Sequence, residues 1–91
     1  MSHEIRSPIP GVFYRRPAPD QDPYVEIGSR VEEDTQVALV EVMKNFHPVV
    51  AGVTGVIASI EVPDGGMVGP GDVLMTVDIA LDEGPGEGAV P

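Results

Sequence analysis

Few side chains in this sequence could do chemistry, and one stands apart. The five basic residues are Arg6, Arg15, Arg16, Arg30 and Lys44, against fifteen acids, so Lys44 is the only lysine. It follows an apolar run, Thr35–Val42, and precedes a second extended stretch near Pro48. That position predicts a hairpin turn with Lys44 facing water. Asn45 fits the same turn, because asparagine tolerates the left-handed conformations that tight turns need. An amine so placed lacks the burial or neighbouring positive charge by which a catalytic lysine is tuned. It is well placed for covalent modification, since an enzyme can approach it from all sides and no second amine of its kind competes. From spacing alone, an ordinary surface lysine in a β-turn remains the alternative.

Other chemistry is poorly supplied. There is no cysteine, which excludes disulfides, thiolate nucleophiles and Cys-ligated zinc. Glu41 and His47 could be imagined as a metal pair, but a lone histidine beside a proline in a strand reads as structural, and no metal is assigned. No nucleophile, base and orienting group stand together, so a free-standing enzyme is not expected. The glycines, Gly52, Gly55, Gly65, Gly66 and Gly71 among them, read as turn residues and not as a phosphate cradle. The net charge of −10 and pI near 4.2 disfavour nucleic acid, which calls for clustered Lys and Arg. No apolar run approaches the roughly 20 residues of a membrane helix, and no signal-peptide core is present.

The elements that must position Lys44 are strands. Eleven glycines and ten prolines oppose long helices, and no apolar spacing of helical period is sustained. Short β-branched runs bounded by turn residues predict strands at Ile5–Ser7, Gly11–Arg15, Thr35–Val42, Pro48–Ala51, Gly55–Val62 and Val73–Ile79, with short pieces near Val31 and Val68. The chain also repeats itself. Val31–Glu41 aligns with Val68–Asp78, and Pro10-Gly11-Val12-Phe13 with Thr54-Gly55-Val56-Ile57. Each half is too small to bury a core alone, so the halves are expected to pack as an all-β flattened barrel or sandwich of two four-stranded antiparallel sheets with quasi-twofold symmetry. After Glu41 the first half continues through Val42 and Met43 to Lys44; after Asp78 the second runs into an acidic Gly/Pro tail. The domain is placed at residues 5–79, with a flexible N-terminus over 1–4 and a disordered tail over 80–91. Three prolines between Pro17 and Tyr24 cannot donate to a ladder, so residues 17–24 form a protruding loop.

Glu41-Val42-Met43-Lys44 resembles the Glu-Ala-Met-Lys-Met motif of biotinyl domains, within the biotinyl/lipoyl-attachment family. The surrounding order is similar to the biotin carboxyl carrier protein of acetyl-CoA carboxylase. Ile5–Arg15 matches the opening strands, Ala18-Pro19-Asp20 to Tyr24 a protruding thumb, and Gly28-Ser29-Arg30-Val31, Ala51–Ile57 and Gly71-Asp72-Val73-Leu74 complete the pattern. The likeness runs over residues 5 to 78. It implies that a biotin protein ligase joins biotin to the Lys44 amine as an amide. The arm then visits a biotin carboxylase and a carboxyltransferase, which delivers the carboxyl group to an acceptor, acetyl-CoA in similar carriers. The chain itself is then a non-catalytic carrier, expected in the cytoplasm, with Met43, Asn45, Glu41 and Val42 flanking the cofactor and the thumb folding over the biotin ring. Two positions depart from the motif: Val42 stands for alanine and Asn45 for the second methionine. The N-terminal extension and Ala/Pro-rich linker of many carriers are not seen, as expected of an excised domain or a short carrier. The rivals are a lipoyl carrier, whose tip typically reads Asp-Lys-Ala, and an unmodified β-sandwich that bridges proteins.

Overall fold

Alternation of apolar and polar residues fixes which side of each strand faces inward. In the computed structural model, which describes residues 1–79, eight strands form: β1 (Ser2–Arg6), β2 (Gly11–Tyr14), β3 (Arg30–Val31), β4 (Gln36–Val42), β5 (Asn45–Val50), β6 (Gly55–Ile60), β7 (Met67–Val68) and β8 (Val73–Asp78). One sheet runs β1-β8-β6-β3 and the other β5-β4-β2-β7, all neighbours antiparallel. Phe13, Val40, Ile57 and Val77 point between the sheets and are almost wholly buried, together with Val37, Leu74 and Met75. No helix among the described residues is long and apolar enough to cross a membrane.

The expected twofold is present strand by strand. A shift of 37 residues carries Val31 onto Val68, Gln36 onto Val73 and Glu41 onto Asp78. The same shift superimposes two irregularities. Pairing of β4 with β5 slips between Gln36 and Ala38, and pairing of β8 with β1 slips where Val73 and Met75 face Arg6 and Ile5. An extra residue at such a bulge turns two successive side chains to one face. Hence Val37 and Ala38 are both buried, as are Leu74 and Met75. Gly11 and Gly55, 44 residues apart, are also related by the twofold. A Cβ on Gly11 would collide with the Glu41 carbonyl, and one on Gly55 with the Asp78 carbonyl.

The differences from expectation lie at element ends. The first strand starts at Ser2, not Ile5: Ser2, His3 and Glu4 pair with Asp78, Val77 and Thr76, so residues 2–4 are laddered and not frayed. The strand after the lysine starts at Asn45, ahead of the expected Pro48. Pro48 is tolerated because β5 is an edge strand and a missing N–H there costs no ladder bond. The acidic tail, residues 80–91, lies outside the described residues.

Candidate functional site

Lys44 lies at the free end of the β4–β5 hairpin. Val42 pairs with Asn45, leaving a two-residue turn of Met43 and Lys44. Both have positive φ, 52° and 68°. Positive φ at both central residues marks a type I′ turn, the form whose twist matches a hairpin. Asn45 is therefore not the left-handed residue that its type suggested; it is the first residue of β5 and closes the turn. Ordinary L-residues pay about 1–2 kcal/mol to adopt this conformation, and asparagine and glycine, which tolerate it, are absent from both positions. Two residues unfavoured in the left-handed region thus occupy an exposed turn.

The tip stands clear of the core. Met43 is 88% exposed. Lys44 is exposed, and among the described residues it enters no ion pair. Val42 is half-buried and packs against the core, which anchors the hairpin just before the turn. Glu41 faces outward on β4, opposite Phe46, and its Oε1 accepts a hydrogen bond from the Tyr14 hydroxyl at 3.2 Å. The rings of Tyr14 and Phe46 lie 6.3 Å apart and tilted by 49°. Burial, and then the Glu41 carboxylate, push the Tyr14 hydroxyl above its ordinary 10.0. It stays protonated at neutral pH and is the donor in this bond.

Beside this aromatic pair opens a groove of about 240 Å³, lined by Tyr14, Phe46, Pro17, Ala18, Pro19, Arg16 and Asp64. The proline-rich loop forms one wall and is tied down at its base. Tyr24 N donates to Arg15 O at 2.8 Å, Arg15 Nη2 donates to Val25 O at 3.3 Å, and Val25 is buried. Asp64 crosses from the β6–β7 connection, accepting from Arg15 N at 2.7 Å and lying 3.8 Å from Arg16 Nε. Sequence reasoning named Lys44, Met43, Asn45, Val42 and Glu41, and the structure gathers all five at one hairpin end. It missed Tyr14, Phe46 and Asp64. The signal for Tyr14 and Phe46 was available: strand alternation places them on the outward face that carries Glu41. His47 lies on β5 opposite buried Val40 and is exposed, and among the described residues no group of three metal-ligating side chains forms.

The fold and tip together define a small domain that presents one amine on a rigid hairpin. A family model described as biotin-requiring enzyme matches residues 3–77, and the chain belongs to that family. It is 34% identical over 76 residues to the biotin carboxyl carrier protein of acetyl-CoA carboxylase from Haemophilus influenzae, covering 84% of this chain and 49% of that protein. It is 40% identical over 73 residues to the protein of the same name from Chlamydia pneumoniae, covering 80% and 44%. The chain thus spans less than half the length of these two relatives. Among solved structures, Kluyveromyces lactis urea carboxylase matches with a TM-score of 0.71 at 26% identity, over 86% of this chain and 6% of that one. A single-chain, multi-domain long-chain acyl-CoA carboxylase shares the fold, with a TM-score of 0.73 at 20% identity over 87% and 7%.

Proposed function

We propose that Lys44 is the attachment point of a biotin arm and that this chain is the non-catalytic carrier part of a biotin-dependent carboxylase. The observation that carries the reading is a lone lysine held, against its conformational preference, at the tip of a two-residue turn. Membership of a biotin-requiring family supports the choice of cofactor. The residues present fit such a group. The Lys44 amine has no ion-pair partner among the described residues, and an open groove walled by Phe46, Tyr14 and two prolines begins two positions away. Biotin, when attached, supplies a nitrogen that takes up and yields a carboxyl group; the protein supplies position and reach.

Each residue then has a task. Lys44 offers the amine that a biotin protein ligase acylates. Val42 and the Val42–Asn45 pair hold the hairpin end rigid, so that the ligase, a biotin carboxylase and a carboxyltransferase meet one shape. Met43, wholly outside the core, lies next to the attachment point, and the thumb-like loop with Phe46 offers an apolar wall to the ring. Tethering makes the meeting with a second active site intramolecular, at effective concentrations on the order of mM. Acetyl-CoA is the acceptor that the names of the relatives favour.

The test is the intact mass of the wild type and of Lys44→Arg after co-expression with a biotin ligase and added biotin. One biotinyl increment on the wild type and none on the variant is expected. An unshifted wild type, with a control carrier modified in the same cells, would overturn the reading; a lipoyl increment at Lys44 in a parallel experiment would replace it.

A further inference from the structure

The chain carries fifteen acids to five bases, and among the described residues Arg6 and Arg16 form ion pairs while Arg15 and Arg30 form none. The acid nearest to Lys44 in sequence is Glu41, three residues back near the end of β4. Yet Lys44 enters no ion pair among the described residues, and Glu41 is engaged elsewhere. Strand alternation explains how. Phe13 and Val40 point inward, so Tyr14 and Glu41 share the outer face. In register, Glu41 faces Val12 and Tyr14 faces Leu39, which makes Tyr14 the diagonal neighbour of Glu41. At that separation an aromatic side chain reaches across, and the Tyr14 hydroxyl lies 3.2 Å from Glu41 Oε1. Phe46, opposite Glu41 and in contact with the Tyr14 ring, fixes the tilt of the phenol.

We propose that Tyr14 is a positioning residue for modification at Lys44: by holding the Glu41 carboxylate on the outer sheet face, it keeps that carboxylate from capturing the Lys44 ammonium. The inference rests on the reading of Lys44 as an acylated amine. In that step the neutral amine adds to an acyl carbon and a C–N bond forms. The bond to the leaving group breaks with its electron pair, and the nitrogen's proton passes to solvent. An ammonium held by a carboxylate enters this reaction less readily. Tyr14→Phe removes the hydroxyl, keeps the ring against Phe46, and frees Glu41 to turn toward the tip.

The experiment uses a small acyl donor, so that it does not depend on any ligase. The full chain, as wild type, Tyr14→Phe, Glu41→Gln and the double variant, is treated with N-hydroxysuccinimidyl acetate near neutral pH. Acetylation of Lys44 is followed by peptide mass, with the Met1 amine as internal reference. Because exposed pairs are weak, Tyr14→Phe should slow Lys44 acetylation by roughly two- to five-fold, leaving Met1 unchanged. The deficit should vanish in the Glu41→Gln background and in about 1 M salt, where such a pair is screened. An unchanged rate, or the same slowing in both Glu41 backgrounds, would show that Tyr14 does not act through Glu41. A parallel ligase assay should show the same loss in kcat/KM. A wild type that reacts chemically but is ignored by the ligase would count against the biotin reading, while the chemical rates still decide the role of Tyr14.

Discussion

Replacing Met43 by asparagine should make this protein more stable. Met43 has φ of 52° and is 88% exposed, so its side chain contributes almost nothing to packing and the substitution isolates the backbone. The left-handed region costs an ordinary L-residue about 1–2 kcal/mol, and asparagine is enriched there because its short polar side chain bonds locally. Recovery of about 1 kcal/mol is expected. For a domain of this size that raises Tm by about 4–8 °C, measurable as thermal unfolding by far-UV circular dichroism. Adding Lys44→Gly, which makes the Asn-Gly pair most favoured in type I′ turns, should raise Tm further while deleting the amine. Under the proposed function, Met43→Asn alone should gain stability and lose biotinylation rate, since the ligase would meet an altered neighbour of Lys44. A Tm that stays or falls in Met43→Asn would refute the reasoning, because it would mean that the turn stores no strain.

Two further outcomes follow from packing and from charge. Gly11→Ala and Gly55→Ala should each destabilise by about 1–3 kcal/mol, and by similar amounts, because each new Cβ meets the carbonyl of a symmetry-related acid position; chemical denaturation of the two variants compares them directly. Tyr14 has its folded-state pKa raised above the unfolded 10.0 by burial and by Glu41. Its contribution to stability is therefore complete below pH 10 and is lost as pH climbs from there through the folded value. Urea unfolding across that alkaline window should show a decline that Tyr14→Phe removes.

What could be read in the sequence was what burial constrains from two sides. The shift of 37 residues was visible because valine and acid positions recur where each half must face the same core and end at the same sheet border. The bulges were not visible, since Val37-Ala38 and Leu74-Met75 look like any apolar pair until the register is known. The start of β1 was missed because only Ile5 of that strand is buried, and Ser2, His3 and Glu4 carry no apolar signal. Asn45 was misplaced for a more instructive reason. The rule that gives asparagine to left-handed positions holds where folding alone chooses the turn, and here Met43 and Lys44 occupy those positions. Tyr14 on β2 and Phe46 on β5 were open to strand alternation, but Asp64 reaches the groove from the β6–β7 connection, where no local pattern could place it.

The twofold also sets the Lys44 turn against its counterpart at the related end of the domain, where the Met1 amine lies 3.7 Å from Asp78. Superposition of the halves carries the Val42–Asn45 pair onto Ile79 and Met1, and Ile79 N donates to Met1 O at 2.8 Å. The two ends of the sandwich are thus built alike, with the same bulge and the same last rung of the ladder. They differ in one respect. At the Lys44 end β4 and β5 are joined by two residues in a type I′ turn, which requires positive φ on both. At the other end β8 and β1 are not consecutive, so no two-residue turn joins them. Among the described residues the repeated scaffold therefore yields one tip with two non-glycine residues at positive φ, and that tip carries the only lysine of the sequence.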